Sequence, residues 1–263
     1  MNPQRILVTG SAGRLGRAAV NELTARGHTV LGFDLRPTLG LPESQSIVGT
    51  LQDADLLNRT AAGVDAIIHL AATPDDTRFP RGASPDDGDN FLSELVPNNI
   101  VGGYHVFEAA RKNGVKRVIF ASSGQVVDGY VDAGRTPVRA DWPTHPKYLY
   151  ASTKVFLEAL GQGYAHAHGI KVIAVRLGWC PRDSGQVAQI AASPEDQDAF
   201  LSPGDAGRFF ACAVAAELGG LPAFAPVFVT SLSLGKILYD LTPAKELVGF
   251  VPRDSWPTGA EEF

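Results

Sequence analysis

The sequence has few of the residues that build disulfide frameworks, metal clusters or membrane anchors. Its 263 residues include only two cysteines, Cys180 and Cys212, which are too few for a disulfide framework or a cysteine-rich metal cluster. The most apolar stretch, residues 209–229, is interrupted by Glu217, glycines and prolines, so it predicts a buried helix, a turn and a strand rather than a membrane span. The net charge of −5 disfavours nucleic acid or an anionic membrane as the main partner.

The histidines and the first residues exclude two further classes. The histidines show no metal-binding pattern, so we expect no metal site, and His69, at the end of an apolar run, is expected to be a packed residue. After five residues the chain enters Ile6-Leu7-Val8, which is typical of an opening β-strand and not of a secretory signal. With its two cysteines interpreted as reduced thiols, we expect a soluble cytoplasmic protein.

Apolar, β-branched runs alternate with stretches long enough for crossover helices. Runs of this kind are typical of parallel strands covered on both faces, and several of the intervening stretches end at glycine. The pattern predicts an α/β fold with a doubly wound parallel sheet, the Rossmann fold. The predicted strands are residues 5–8, 29–33, 66–70, 117–121 and 171–176, and the predicted helices are residues 16–26, 53–62, 98–113 and 149–168.

The second half of the chain does not keep this alternation of strands and helices. We expect residues 1–178 to form the dinucleotide-binding domain and residues 179–263 to form a small substrate cap with strands returning to the main domain. Within that cap, residues 183–193 and 224–263 are expected to cover the carboxyl ends of the strands. Residues 74–90, rich in Asp, Pro and Gly, are either a solvated loop or a lid on the substrate side.

A glycine loop follows the first predicted strand. Gly10, Gly13 and Gly16 are three residues apart, so bare backbone can approach a pyrophosphate while a helix N-terminus points its N–H groups at it. Asp34 ends the second strand, where a carboxylate accepts hydrogen bonds from ribose hydroxyls and repels a 2′-phosphate. This favours NAD, whereas Arg36 leaves NADP open. The other expected cofactor contacts are Arg14, Leu15, Leu35, Thr50, Leu51, Leu70, Ala71, Ala72, Asn99 and Leu177.

Tyr150 and Lys154 are spaced to share one face of a predicted helix. An ammonium group beside a phenol favours the ionised phenol. Such a phenolate accepts the proton of an alcohol and leaves the redox step to a nicotinamide. The pair therefore predicts an NAD-dependent oxidation or reduction.

Taken in order, these motifs resemble the extended short-chain dehydrogenase/reductase family, often labelled NAD-dependent epimerase/dehydratase. Within it the chain looks most like the uronate dehydrogenases, which oxidise a sugar acid at its anomeric carbon to a lactone. That second likeness depends on the segments at residues 193–196, 200–205 and 247–254. The family motifs are Gly10-x-x-Gly13-x-x-Gly16, His69-Leu-Ala-Ala72, Asn99-Ile-Val-Gly102, Phe120-Ala-Ser-Ser123, Tyr150-x-x-x-Lys154 and Val175-Arg-Leu-Gly178.

The resemblance implies a role for each motif residue. Tyr150 would be the general base, Lys154 would hold the nicotinamide ribose and lower the pKa of the phenol, and Ser123 would bind the reacting oxygen. Asn99 would organise a proton-relay water or nearby backbone. The residues expected to contact the substrate are Thr73, Ser123, Gly124, Gln125, Tyr150 and Trp179. A homodimer is also implied, formed through residues 98–113 and 149–168 with Val106, Phe107, Val155 and Phe156 at the interface.

Departures from the uronate dehydrogenases leave the substrate open. Gly124-Gln125 stands where they carry Asn-His, and Ala188 aligns near their carboxylate-binding arginine, with Arg182 as the close substitute. The substrate is therefore a free sugar or a sugar acid, and Trp179 either stacks on it or packs in the cap. A sugar epimerase with tightly held NAD and a non-catalytic NAD sensor are the alternatives, and production of NADH separates them.

Overall fold

The parallel sheet at the centre of the protein confirms the predicted Rossmann fold. The computed structural model describes residues 3–75, 77, 84, 86 and 88–261. In that part of the chain seven strands form one sheet in the order β3-β2-β1-β4-β5-β6-β7, and every neighbouring pair is parallel. The strands are β1 Arg5–Thr9, β2 Thr29–Asp34, β3 Ser46–Val48, β4 Ala66–His69, β5 Arg117–Ser123, β6 Lys171–Leu177 and β7 Phe224–Val229.

Helices connect the strands and cover both faces of the sheet. A π-helical segment, Phe91–Val101, runs directly into α3, so the predicted helix at 98–113 begins in a wider coil that contains Pro97. Proline lacks the N–H group that a regular turn requires, which accounts for an irregular coil at this point. The helices are α1 Arg14–Ala25, α2 Ala54–Thr60, α3 Gly102–Lys112, α4 Asp128–Asp132, α5 Leu149–His168, α6 Ser184–Ala191, α7 Pro194–Asp198, α8 Pro203–Ala215 and α9 Thr242–Val248.

Alternate residues of the strands supply the two halves of the core. Ile6 and Val8 of β1 point to the layer that contains α1 and α8. Leu7, between them, points to the opposite layer, where α3 and α5 contribute Phe107 and Leu157. Because parallel strands buried on both faces need apolar residues at every position, the strand sequences are continuous apolar runs.

Two expectations differ from the structure, and one strand was not predicted. Residues 224–229, assigned to the cap, form β7 at the edge of the main sheet, paired with β6. The strand β3 was not predicted, because three residues are too few to show a periodic pattern. Val106 and Phe107, expected at a dimer interface, are fully buried in the protein's own core. Of the predicted loop at residues 74–90, nine positions (76, 78–83, 85 and 87) lie outside the described residues.

The carboxyl ends of the strands lie along one edge of the sheet. In a doubly wound sheet this edge is where ligands bind, because the loops diverge there on either side of the central strands. The loops after β1, β4, β5 and β6 meet at this edge. In the described part of the chain, no helix is long and apolar enough to cross a membrane.

Candidate active site

The loop between β1 and α1 has a shape that only glycine permits. Gly10 has a φ of +72°, and a Cβ atom on it would lie 2.5 Å from the backbone nitrogen of Ala71. A Cβ atom on Gly16 would lie 2.0 Å from the carbonyl oxygen of Gly10. The residue that precedes α1 is Gly13, so no side chain covers the first N–H groups of the helix. The loop thus provides bare backbone and a helix N-terminus, the arrangement that binds a pyrophosphate.

Arg14, the first residue of α1, ties this loop to the end of the chain. Its Nη2 atom donates hydrogen bonds to the carbonyl oxygens of Gly259 and Ala260, the latter at 2.7 Å. The sequence predicted Arg14 as a cofactor contact but carried no signal for these partners, which lie about 245 residues away. The C-terminal segment is therefore attached to the rim of the candidate cofactor site.

Asp34 stands at the end of β2 beside the glycine loop. Its carboxylate accepts a hydrogen bond from the backbone nitrogen of Ala12 at 3.0 Å and another from that of Arg36 at 3.2 Å. This is the position at which an acidic residue meets the adenosine ribose of a dinucleotide. Arg36, with Arg17, lines a hollow of about 560 Å³ next to it. Asp34, which favours NAD, and Arg36, which leaves NADP open, therefore lie at the same end of the site.

A cavity of about 530 Å³ runs from the glycine loop along the strand ends. Most of the predicted cofactor and substrate residues line it. They are Gly10, Gly13, Arg14, Leu15, Gly16, Leu70, Ala72, Ser123, Gly124, Gln125, Tyr150, Lys154, Leu177 and Trp179. The remaining predicted residues are not part of its lining: Asp34, Leu35, Arg36, Thr50, Leu51, Ala71, Thr73 and Asn99.

Two of these outlying residues have clear structural roles. Leu51 packs in the hydrophobic core against Gly102, and its carbonyl oxygen lies 2.7 Å from Nδ1 of His105. Asn99 is buried, and its amide makes hydrogen bonds with both the backbone nitrogen and the carbonyl oxygen of Thr73, at 2.8 and 3.0 Å. Asn99 therefore fixes the loop after β4, on the cavity's edge.

Ser123, Tyr150 and Lys154 meet at the centre of the cavity. Ser123 ends β5, and its side chain interacts with the phenol of Tyr150, which lies in the first turn of α5. One turn further along α5, Lys154 points its Nζ atom at the carbonyl oxygen of Ala121, 2.9 Å away. The same Nζ atom lies 5.6 Å from the centre of the Tyr150 ring. Two elements distant in sequence thus bring the three predicted catalytic groups together.

Burial governs the protonation of this pair. Burial raises the pKa of Tyr150 above its ordinary value, the carboxylate of Asp75 raises it further, and Arg182 and Ser123 lower it only in part. Desolvation is the largest influence on this phenol, and the lowering of its pKa by Lys154 that the resemblance implies stays a prediction. Burial also lowers the pKa of Lys154, to about 8. Burial therefore disfavours the charged form of both groups.

A buried ion pair lies directly behind this centre. Glu158 of α5 and Arg176 of β6 form two hydrogen bonds, at 3.0 and 2.9 Å, and Glu158 also accepts one from Ser122 Oγ at 2.6 Å. Ser122 lies between Ala121, which binds Lys154, and Ser123, which binds Tyr150. The pair therefore holds the strand end that positions the catalytic groups. Its members occur in the sequence as ordinary helix and strand residues, and no local signal marked them.

The far end of the cavity is lined by residues from the second half of the chain. Trp179 lines it and also packs with Ile190 and Phe200, so its packing role is observed, and stacking on a substrate stays a prediction. Arg182 forms an ion pair with Asp75 at the entrance. Neither Asp75 nor the later residues Glu195 and Tyr239, which line the same end, were identified from the sequence.

His69 is a packed residue, as expected. It is buried, and its Nδ1 atom lies 2.7 Å from Oγ1 of Thr9. Burial and the nearby charge of Lys154 lower the pKa of the imidazole to about 3, so it is neutral at physiological pH. Among the described residues, no group of three or more histidine, cysteine or acidic side chains is placed to hold a metal ion.

Comparison with known proteins finds a matching family and relatives that are named as sugar or sugar-acid dehydrogenases. The sequence profile of the NAD dependent epimerase/dehydratase family matches residues 6–179. L-arabinose 1-dehydrogenase (NAD(P)(+)) of Haloferax volcanii is 33% identical, over 98% of this chain and 99% of that protein. Uronate dehydrogenase of Pseudomonas syringae pv. tomato is 33% identical, over 66% of this chain and 58% of that protein. The crystal structure of glucuronic acid dehydrogenase from Chromohalobacter salexigens is similar with a TM-score of 0.76 and 28% identity, over 98% of this chain and 88% of that one.

Proposed function

Because the chain belongs to the NAD-dependent epimerase/dehydratase family, we propose that it is an NAD-dependent dehydrogenase that oxidises a hydroxyl of a free sugar or sugar acid. One observation carries the proposal. The cavity that begins at the glycine loop also contains Ser123, Tyr150 and Lys154, so a dinucleotide and an alcohol can meet beside a proton acceptor. Relatives that match the chain closely are sugar or sugar-acid dehydrogenases by name.

The residues at the glycine loop fit a dinucleotide. The loop leaves no room for a Cβ atom at Gly10 or Gly16, and the N-terminus of α1 faces the cavity beside them. This backbone would hold the pyrophosphate, Asp34 the adenosine ribose, and Lys154 the nicotinamide ribose. NAD, when bound, supplies the acceptor for the two electrons of the oxidation.

Side chains of the protein bind the substrate hydroxyl and accept its proton. Ser123 and the neighbouring Tyr150 phenol provide two contacts for the reacting hydroxyl oxygen. Tyr150, in its deprotonated form, takes the hydroxyl proton as the carbon is oxidised, and the ammonium of Lys154, one turn away, stabilises the phenolate before this transfer. Oxidation of a sugar at its anomeric hydroxyl would give a lactone. The Asn99 amide keeps the neighbouring loop in place during the reaction.

A screen for NADH production tests this proposal and separates it from its alternatives. The protein is mixed with NAD and, in turn, with aldoses, uronic acids and polyols, and NADH absorbance and the sugar products are recorded. Net NADH with at least one free sugar is expected. An isomerised sugar without NADH would favour the epimerase alternative, and NAD binding with neither product would favour the sensor.

We also propose that the enzyme is a cytoplasmic homodimer formed through α3 and α5. Val106 and Phe107 are committed to the protein's own core, but Tyr104 and Phe156 are 46% and 39% exposed on these helices. Large apolar side chains on neighbouring helices suit an isologous interface between two copies. The free state of both Cys180 and Cys212 is consistent with a reducing compartment.

A further inference from the structure

Gly124 and Tyr239 meet at the substrate end of the cavity, although they are more than a hundred residues apart. A Cβ atom on Gly124 would lie 2.8 Å from the hydroxyl oxygen of Tyr239 and 3.2 Å from its Cζ atom. No side chain could therefore be added at position 124 without displacing Tyr239. The Tyr239 hydroxyl can lie here because position 124 has no side chain.

The Tyr239 hydroxyl is available to a ligand. The side chain is only 7% exposed, and its ring stacks on Phe228 with 4.7 Å between the ring centres. Its hydroxyl makes no hydrogen bond to any of the described residues, yet Tyr239 lines the cavity. Burial and the carboxylates of Asp128 and Glu195 raise the pKa of this phenol, so it remains a hydrogen-bond donor at any pH of interest. A buried hydroxyl of this kind gains stability when a ligand supplies its partner.

The charges around the same cavity are mainly negative. Among the described lining residues there are five carboxylates: Asp75, Asp128, Asp132, Glu195 and Asp196. They face three cations, of which Arg14 binds backbone carbonyls at the glycine loop and Lys154 belongs to the catalytic centre. The third cation, Arg182, is already paired with Asp75. Asp132 is also paired, with Lys147, which lies outside this lining. A carboxylate on the substrate would find the cations of the lining already engaged and would face more acidic than basic groups.

The polar groups that remain are neutral. The side chains of Gln125 and Gln189 line the cavity, together with the Tyr239 hydroxyl. Amide and hydroxyl groups both donate and accept hydrogen bonds, which matches the hydroxyls of an uncharged sugar. Carboxylates at the margin can also accept hydrogen bonds from sugar hydroxyls, whereas they repel a carboxylate or a phosphate.

We propose that the substrate is an uncharged sugar and that the Tyr239 hydroxyl, which fits beside Gly124 because position 124 has no side chain, hydrogen-bonds one of the sugar's hydroxyls. The acidic lining rejects sugar acids and sugar phosphates. The inference rests on the proposed dehydrogenase function and narrows its substrate from the wider class of sugars and sugar acids.

The first test compares neutral sugars with the acids that carry a carboxylate at C6. Glucose is paired with glucuronic acid and galactose with galacturonic acid, and arabinose and xylose are added as neutral pentoses. kcat/KM is measured with NAD for each. We expect neutral sugars to exceed every uronic acid by at least about tenfold, because a like-charge contact is costly in a confined site. A smaller margin, or a uronic acid as the preferred substrate, would overturn the inference while leaving the dehydrogenase function intact. NAD binding without NADH from any sugar would instead remove the proposed function, and this inference with it.

The second test concerns Tyr239 itself, on the best neutral sugar from the first. Tyr239→Phe keeps the ring and its stacking on Phe228 but removes the hydroxyl. We expect KM to rise about tenfold with a small change in kcat, as for loss of one substrate hydrogen bond. Tyr130→Phe is the matched control, because Tyr130 packs in the same apolar cluster and is not among the residues that line the cavity. An unchanged KM in Tyr239→Phe, or an equal rise in the control, would overturn the role of Tyr239.

Discussion

Glu158 and Arg176 form a buried ion pair, 8% and 3% exposed, that joins α5 to β6 behind the catalytic centre. The carboxylate also accepts the Ser122 hydroxyl, and the guanidinium donates to the carbonyl oxygen of Ala140. A pair with this many additional hydrogen bonds compensates for much of its desolvation cost, but neither member tolerates the loss of the other.

Removal of the Glu158 carboxylate is therefore expected to destabilise the fold. Glu158→Ala leaves Arg176 buried without a counter-charge and should lower the free energy of unfolding by about 3–5 kcal/mol. Asp141→Ala is the control, because its ion pair with Arg139 is exposed and should contribute no more than about 1 kcal/mol. Urea denaturation of both variants measures the difference. A loss in Glu158→Ala as small as that of the control would contradict the role assigned to the pair.

The catalytic assignment predicts different losses at Tyr150 and Lys154. Tyr150→Phe removes the proton acceptor and should lower kcat by about 10²–10⁴, while NAD binding survives because the glycine loop is untouched. Lys154→Ala should weaken both turnover and NAD binding, because one cation serves the ribose and the phenol. Both are measured by steady-state kinetics and by NAD titration.

Tyr164→Phe provides the control for these variants, since Tyr164 lies on the same helix and binds Glu108 outside the cavity. Full activity in Tyr150→Phe would show that another group accepts the proton. Unchanged NAD affinity in Lys154→Ala would remove its assigned contact with the ribose.

The ion pair at the cavity entrance should influence the pH profile. Oxidation needs the deprotonated phenol, so kcat/KM should rise with pH as Tyr150 loses its proton. The Asp75 carboxylate raises the pKa of Tyr150. Asp75→Asn removes that charge and should move the rising limb toward lower pH. Asp141→Asn, a neutralisation far from the cavity, should not move it, and an equal shift in both variants would exclude a local effect of Asp75.

The parts of this protein that could be predicted from sequence are those encoded by nearby residues. The strand and helix alternation follows from continuous apolar runs, and the glycine loop and the Tyr150–Lys154 spacing are local patterns. Tyr239 and Gly124, by contrast, meet only because β7 returns the chain to the main sheet. The direction of the Tyr150 pKa shift also depends on burial, which is set by segments that cover the phenol from elsewhere in the chain. Such contacts between distant segments leave no periodic signal.

Exposed aromatic side chains on α3 and α5 predict self-association. Phe156→Glu should convert the proposed dimer to a monomer, because it places a charge in the apolar interface of both copies. Leu234→Glu, at a 59% exposed leucine outside these helices, is the control and should leave the mass unchanged. Light scattering at micromolar concentration measures both. A monomeric wild-type protein would exclude the dimer.

Cofactor choice should follow Asp34, whose carboxylate stands beside the glycine loop. A 2′-phosphate would face this negative charge, so NAD should bind at least about tenfold more tightly than NADP, a difference of about 1.4 kcal/mol. Asp34→Asn removes the repulsion and leaves Arg36 and Arg17 beside the site, so the affinity for NADP should rise. Glu43→Gln, an exposed neutralisation on the following loop, controls for net charge. Both cofactors are titrated against each protein in the same buffer, because phosphate contacts depend on salt. Equal affinities in the wild-type protein would show that the arginines, and not Asp34, govern the ribose end of the site.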